Sequence, residues 1–542
     1  MSKTPQWIKN LEHNRHLVPV NVAAGIITPT EHPSAPPTLD QGEAIKKWYA
    51  LNVEPEHQYW IVVGLIDGTF VELLSRKVEG QIVVVEPDIE RIRQVLAHRV
   101  LDIPRGKVLI IEEYERVQSA FVGFLRPDAL VLVPTKEATE RIPEVVRNCQ
   151  NMAIYMRQSV LTNWATIRSK TKDWTTNSIE NILRAEAWED LCDQGWRESP
   201  ALCVSAGPSL SESMDLIRNW KGPVFCVGHA LRKLLNEGIK PHFVVYTESA
   251  DGSSFFEGLD LSDLRLICVY TIHPNVMSLP WKSRLVFCGS NTIELLAWLK
   301  GGGVKYQAVG PSCANTAARA AWTMGCRTIC LVGQDLAYTG RDYADGLDGC
   351  HGVEYDVVEP EEGQEPNPMR GLLKFTQNGE VKRTEPGTLW PAKDGTEKLV
   401  PTSIAFTLFM SDFLSFARDH WSEGAFIDFT AYGGMIHRWA WGGGTPGEYL
   451  NNMEFEPWEY TPKACSLSRG RKHIQTAMEE AQRAWQALKA RKAYDLSELL
   501  DHPFLIGLFL ADFDKDPSLK NLQGLCLKAS RWLKTQLKKT RE

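Results

Sequence analysis

Four short segments of this sequence combine small residues, hydroxyls and carboxylates in the way that a site for an anionic, hydroxyl-rich ligand requires. The first is Ser205-Ala206-Gly207-Pro208-Ser209-Leu210, whose small side chains let backbone amides approach an anion and which opens a helix from about Ser211. The second, Thr247-Glu248, supplies a hydroxyl and a carboxylate for a sugar or ribose hydroxyl. The third is Gly310-Pro311-Ser312-Cys313, a small-residue turn running into Asn315 and Thr316; the fourth, Gly333-Gln334-Asp335, offers an amide and an acid to orient a base, a sugar or an acceptor hydroxyl. One helix terminus contributes only about 0.3–2 kcal/mol toward an anion, and an acid after a strand is by itself an ordinary cap. The case rests on all four sharing one sheet edge.

That edge follows from the elements around them. Short apolar runs at Ala201–Ser205, Val224–Val227, His242–Thr247, Leu264–Tyr270, Leu285–Cys288 and Thr328–Val332 alternate with helical stretches such as Ala230–Glu237 and Asn315–Met324. The alternation predicts a doubly wound parallel sheet, which binds ligands beyond the carboxyl ends of its strands. An earlier run repeats the pattern, with strands at Tyr59–Val63, Gln81–Val85, near Lys107–Ile111 and at Ala129–Val133. The expected fold class is α/β, with two doubly wound Rossmann-like domains and a helical C-terminal region. The expected boundaries are an extended arm over 1–38, a first domain over 39–150, a helical bridge over 151–198, the central domain over 199–440 and a mainly helical domain over 441–542. The stretch Arg341–Pro401, rich in glycine, proline and acid, is too long for a simple connection and reads as a lid or substrate loop. A helix over Ser403–Arg418 and a strand over Ala425–Phe429 follow it, and the basic residues Lys528, Arg531 and Lys534 read as a solvated helix face.

The first domain has its own glycine turn, Gly64-Leu65-Ile66-Asp67-Gly68, and an acid, Glu86, after the next strand. A dinucleotide fingerprint needs G-x-G-x-x-G, and Asp67 puts negative charge where a phosphate would sit; a scaffold role is expected. Asp512-Phe513-Asp514 reads as a solvated turn rather than a metal-binding pair. Cys326 and Cys330 have neither a second pair nor a nearby histidine and read as packed thiols. No metal site is assigned.

Composition narrows the function further. The chain has 542 residues and a formal net charge of -7, which gives no long-range attraction for nucleic acid or an anionic membrane. No window approaches the roughly 18 apolar residues of a membrane span, Met1–Leu17 lacks the apolar centre of a secretory signal, and the twelve cysteines are scattered as reduced buried thiols are. A cytoplasmic location is expected.

The runs Ala201–Leu210, Val227-Gly228-His229-Ala230-Leu231, Ile239–Val245, Ala314-Asn315-Thr316-Ala317-Ala318 and Leu331–Thr339, closing with Ile427-Asp428 and Gly433-Gly434, occur in an order that resembles the motility accessory factor glycosyltransferases. The resemblance covers roughly Ala201 to Arg438. It implies transfer of a nonulosonic acid, such as pseudaminic or legionaminic acid, from its CMP-activated form to serine or threonine of flagellin. It also implies a central domain related to bacterial sialyltransferases and to archaeal hydroxymethylpterin pyrophosphokinases. By that resemblance Ser205, Gly207, Pro208 and Ser209 cradle the CMP phosphate, Ser312, Asn315 and Thr316 face them, and Gln334 and Asp335 lie beside the sugar. Ala206 and Leu210 of the same loop, and Thr247 at its strand end, complete the expected substrate-binding set. The family usually has an acid where Ser211 stands and an aspartate where Glu248 stands.

Transfer needs a group to take the acceptor's proton; Asp335, Glu248, His273 and His351 are the candidates. No lysine or arginine adjoins either small-residue loop, which favours a single phosphate over a triphosphate. No cofactor is assigned beyond the CMP-sugar substrate, and a Mg²⁺ requirement stays open. The alternatives are a 6-hydroxymethylpterin pyrophosphokinase-like enzyme, which would use ATP and Mg²⁺, and a non-catalytic flagellin-binding protein.

Overall fold

The computed structural model describes residues 5–19, 58–121, 129–184, 187–287, 310–339, 353–357, 371–377, 380–393, 398–420, 422–434, 453, 455–464, 468–489, 528–529, 531–532 and 534–535. The chain forms two compact units, Met1–Ala165 and Thr166–Glu542.

In the first unit, β1 (Tyr59–Val63), β2 (Gln81–Val85), β3 (Val108–Ile111) and β4 (Leu130–Pro134) form a parallel sheet of order β3-β2-β1-β4. Alternate residues of each strand enter opposite cores: Trp60, Val62, Ile82 and Val84 on one face, Ile61, Val63, Val83 and Val85 on the other. A sheet covered on both faces reads as a continuous β-branched run, as these strands do. The structure departs from an extended arm at its start, where Gln6–Asn14 is a helix. Leu11 and Leu17 are buried, and the Asn10 and Asn14 amides donate to Ala97 O, Leu96 O and Arg99 O at 2.8 Å each. These two side chains dock the helix, a long-range pairing that local composition does not reveal.

The second unit is built on an eight-stranded, all-parallel sheet. Its strands are β5 (Glu189–Asp190), β6 (Ala201–Val204), β7 (Val224–Val227), β8 (Phe243–Tyr246), β9 (Arg265–Val269), β10 (Ser283–Phe287), β11 (Thr328–Val332) and, after an insertion, β16 (Ala425–Asp428). The order is β16-β11-β6-β7-β8-β9-β10-β5. The chain steps outward from β6 through β10, then returns to β11 on the other side of β6. The β6/β11 gap is therefore the topological switch point, where loops diverge and a crevice opens.

The segment expected to be an irregular lid instead contains an antiparallel sheet of β12 (Val353–Val357), β13 (Gly371–Gln377), β14 (Glu380–Pro391) and β15 (Leu399–Ser403). Its strands escaped detection because charged residues interrupt any apolar alternation: β14 reads Glu-Val-Lys-Arg-Thr-Glu over its first half. The helix Pro143–Arg184 starts before the expected bridge and ends before Trp196. It gives Val146, Cys149, Ala153 and Met156 to the first unit's core and Ile179, Ile182 and Leu183 to the second's. A C-terminal helix, Ser468–Lys489, is described, and Lys528, Arg531 and Lys534 are exposed. Among the described residues no helix is long and apolar enough to cross a membrane. Asp512-Phe513-Asp514, His351 and Cys288 lie outside the described residues.

Candidate functional site

The sequence after β6 does not open directly into an α-helix. Pro208–Ser213 is a 3₁₀ turn, and the α-helix that follows, Met214–Asn219, has six residues. Gly207 allows this turn to cross the loop after β11: a Cβ there would lie 2.4 Å from both Asp335 Oδ1 and Gly333 O. The two loops are stitched together. Gly207 N–H donates to Gly333 O at 2.9 Å, Ser205 Oγ donates to Gln334 Oε1 at 2.5 Å, and Ser209 gives Asp335 two hydrogen bonds, from its amide (2.9 Å) and its hydroxyl (2.5 Å). The turn thus receives the Asp335 carboxylate where the sequence reading put a ligand phosphate. Leu210 is fully buried in the core beneath, and Ala206 packs against it.

Asp335 is held from its other side as well. Gly434 N–H donates to its carbonyl at 2.7 Å, and Gly433, at φ +119°, passes so close that a Cβ would sit 2.2 Å from that oxygen. Leu336 adopts a left-handed φ of 47°, an unfavourable conformation for a branched side chain. It is fixed by Thr402 Oγ1, which donates to Leu336 O at 2.7 Å. Only 3 % of Asp335 is exposed. Burial pushes its carboxyl up to about 6, against the lowering effects of Ser209 and of Lys393; Asp428 adds to the rise.

Lys393 and Asp428 were not among the expected site residues. They form a buried ion pair, with side chains 3 % and 2 % exposed. Lys393 follows β14 within the insertion and Asp428 ends β16. Burial lowers the lysine's proton affinity, opposed by Asp428 and Asp335. The sequence argument that no lysine adjoins the loops is therefore corrected by the fold, which delivers one from about sixty residues downstream of Asp335. Asp428 carried a usable signal, an acid after a strand like Asp335; Lys393, in an unpatterned turn, carried none.

The remaining candidates form a second cluster on the same edge. Thr247 Oγ1 lies 3.2 Å from Cys313 Sγ, which brings the end of β8 against the turn opening the Cys313–Thr323 helix. Ser312 caps that helix. Asn315 and Thr316 are 1 % exposed and bond inward, the Asn315 amide to Phe409 O and Asp412 Oδ2 and the Thr316 hydroxyl to Ser312 O. Glu248 is exposed, and its carbonyl accepts from His273 N–H at 3.3 Å. His273 caps the short Pro274–Met277 helix through Nδ1, 3.2 Å from Asn275 N. Asn177 and Asn181 hold these loops. Spaced one helical turn apart, each donates both amide hydrogens to a pair of carbonyls, Ser249 and Thr271 for one, Tyr270 and Ile272 for the other. With adjacent strands about 4.8 Å apart, three spacings from β11 to β8 put Glu248 on the order of 14 Å from Asp335. Asp335, Glu248 and His273 are consequently not one catalytic group; they stand apart along one sheet edge. Among the described residues no group of three or more histidine, cysteine or acidic side chains is placed to hold a metal ion.

Residues 173–341 match the family model described as 6-hydroxymethylpterin diphosphokinase MptE-like. No curated protein matches the chain. Among solved structures, the MAf glycosyltransferase from Magnetospirillum magneticum AMB-1 is similar, at 14 % identity, over 98 % of this chain and 94 % of that one, with a TM-score of 0.47.

Proposed function

We propose that the second unit is a glycosyltransferase that moves a nonulosonic acid, of pseudaminic or legionaminic type, from its CMP-activated form to a serine or threonine hydroxyl of flagellin. The observation that carries this reading is the charge balance at the switch point: among the described residues, the buried charged groups there are Asp335 and Asp428 against one lysine, Lys393, which is already paired. Such a site suits a donor whose leaving group bears one phosphate far better than a triphosphate, whose several charges would meet two acids at low dielectric. In the reaction, the acceptor oxygen bonds to the anomeric carbon, the bond from that carbon to the CMP phosphate oxygen breaks with its electron pair leaving on CMP, and the hydroxyl proton passes to Asp335. A carboxyl near 6 is well matched to that task at neutral pH. Ser205 and Ser209 fix the loop carrying the base, while Thr247, Glu248 and Ser312 line the edge along which the donor extends.

The second reading, a pterin diphosphokinase, is favoured by the family model over 173–341. Melting shifts separate the two. Stabilisation by CMP supports transfer, and stabilisation by ATP with Mg²⁺ and a hydroxymethylpterin supports the kinase. Neither shift, together with capture of flagellin, supports a non-catalytic binder. The decisive measurement is the intact mass of flagellin co-expressed with and without this chain in a strain making CMP-nonulosonic acid; identical masses count against transfer.

A further inference from the structure

We propose that Lys393 and Asp428 form a charge-setting pair for Asp335: Lys393 is a positioning residue that holds the Asp335 carboxylate ready to accept a proton, and Asp428 tempers that effect. The inference rests on the reading of Asp335 as the base for transfer and adds the device that tunes it.

The geometry makes the three residues one unit. Lys393 N–H donates to Gly433 O at 2.9 Å, and the next residue, Gly434, donates its N–H to Asp335 O at 2.7 Å. The single Gly433–Gly434 peptide therefore bridges the main chains of Lys393 and Asp335, one on each side of it, and only glycine tolerates the close approach at 433. A parallel link joins the acids: Thr430 N–H donates to Asp428 Oδ1, and Gln334 N–H donates to Thr430 Oγ1, both at 3.0 Å. Neither Lys393 Nζ nor Asp428 Oδ2 has a further hydrogen-bond partner among the described residues.

A buried ion pair is weak evidence for stability, because its desolvation offsets most of its attraction. Its placement is the informative part. Among the described residues, the charged groups that act on Asp335 are Lys393, from the turn after β14, and Asp428, from the end of β16. From the Gly207 turn only the Ser209 amide and hydroxyl reach it. Two acids thus share one base, and the proton on Asp335 answers to both neighbours with opposite sign: the lysine disfavours it and the second acid favours it. A simple brace between the insertion and β16 would need the pair and not this third member.

The test uses the full chain, with CMP-activated nonulosonic acid as donor, and follows kcat/KM against pH for the unaltered protein, K393M, K393R and D428N. The acid limb is expected to move up by about one pH unit or more in K393M, to move down in D428N, and to stay within a few tenths of a unit in K393R. Limbs that stay put, or that move in the same direction in K393M and D428N, overturn the proposal. If the chain transfers no sugar, melting temperature against pH carries the test: each variant is compared with the same variant also bearing Asp335→Asn, so that the difference isolates the Asp335 proton. Opposite displacements then support the pair even though the transfer reading has failed, and coincident curves overturn it. Where K393M does not fold, D428N and the charge-free double variant K393M/D428N decide. D428N must still lower the midpoint relative to the unaltered protein, and an unmoved midpoint overturns the proposal.

Discussion

In the first unit Glu86 follows β2, one strand from the β1/β4 switch point; its carboxylate is wholly enclosed and meets four hydrogen bonds, two from Arg141 Nη2 at 2.8 and 2.7 Å and one each from Leu65 N–H and Asp88 N–H at 3.2 Å. At the second unit's switch point, between β6 and β11, Asp335 meets Ser209 twice and shares its lysine with a second acid. The crevices differ likewise. Gly64 lies against Thr135 Oγ1, where a Cβ would come within 2.5 Å, and Leu65 and Ile66 are buried. The first crevice is thereby plugged by its own loop. Buried carboxylates at two strand ends thus serve two uses: one matched by a guanidinium becomes a clasp, while one that meets only a hydroxyl and an amide as hydrogen-bond donors has its carboxyl pushed up to about 6 by burial.

The largest expected effect lies at the second position. Asp335→Asn is expected to cut transfer by about 10²–10⁴-fold while the CMP-induced melting shift persists; unchanged turnover would remove the working half of the contrast. The clasp is tested by Arg141→Met, expected to cost about 3–5 kcal/mol by leaving Glu86 buried without its partner, with transfer per folded molecule unchanged; denaturant unfolding beside an activity assay checks both. Next comes linkage. A carboxyl raised from 3.8 to about 6 on folding makes the folded state hold its proton longer than the unfolded chain, so stability falls as pH rises through that window. The contribution is about 3 kcal/mol, fully lost above about pH 6, and should vanish from the pH–stability curve of Asp335→Asn. Gly207→Ala, which must push Asp335 or Gly333 aside, is expected to cost about 1–3 kcal/mol and to reduce transfer. Glu248→Gln, at an exposed position, is expected to change the donor KM by less than about tenfold, a loss under about 1.4 kcal/mol.

Most of both sheets was legible because buried parallel strands are continuous apolar runs, and β6 and β11 announced their ends with Gly207 and Gly333. The switch point itself was legible only in kind, since strand order is not written in any local pattern. What escaped depends on distant partners: Asn10 and Asn14 on carbonyls some eighty residues away, Asn177 and Asn181 on the loops after β8 and β9, and Lys393 on Asp428. The fate of the Gly207 turn escaped for the same reason. Its amides looked free for a ligand because nothing local shows that Asp335 will take that of Ser209 and Gly333 that of Gly207.

The insertion that carries Lys393 interrupts the sheet between β11 and β16, and this orders events during synthesis. A nascent chain that has emerged just past Asp335 already contains every strand from β5 to β11, yet Asp335 at that stage has no lysine beside it, no second acid and no Gly433-Gly434 bracket. Those arrive only with residues 393 to 434, so the competence of the site reports that the whole central region has been threaded and closed. A fragment cut before Lys393 retains the strands from β5 to β11 and presents an aspartate whose proton answers to burial and Ser209, without the lysine and the second acid.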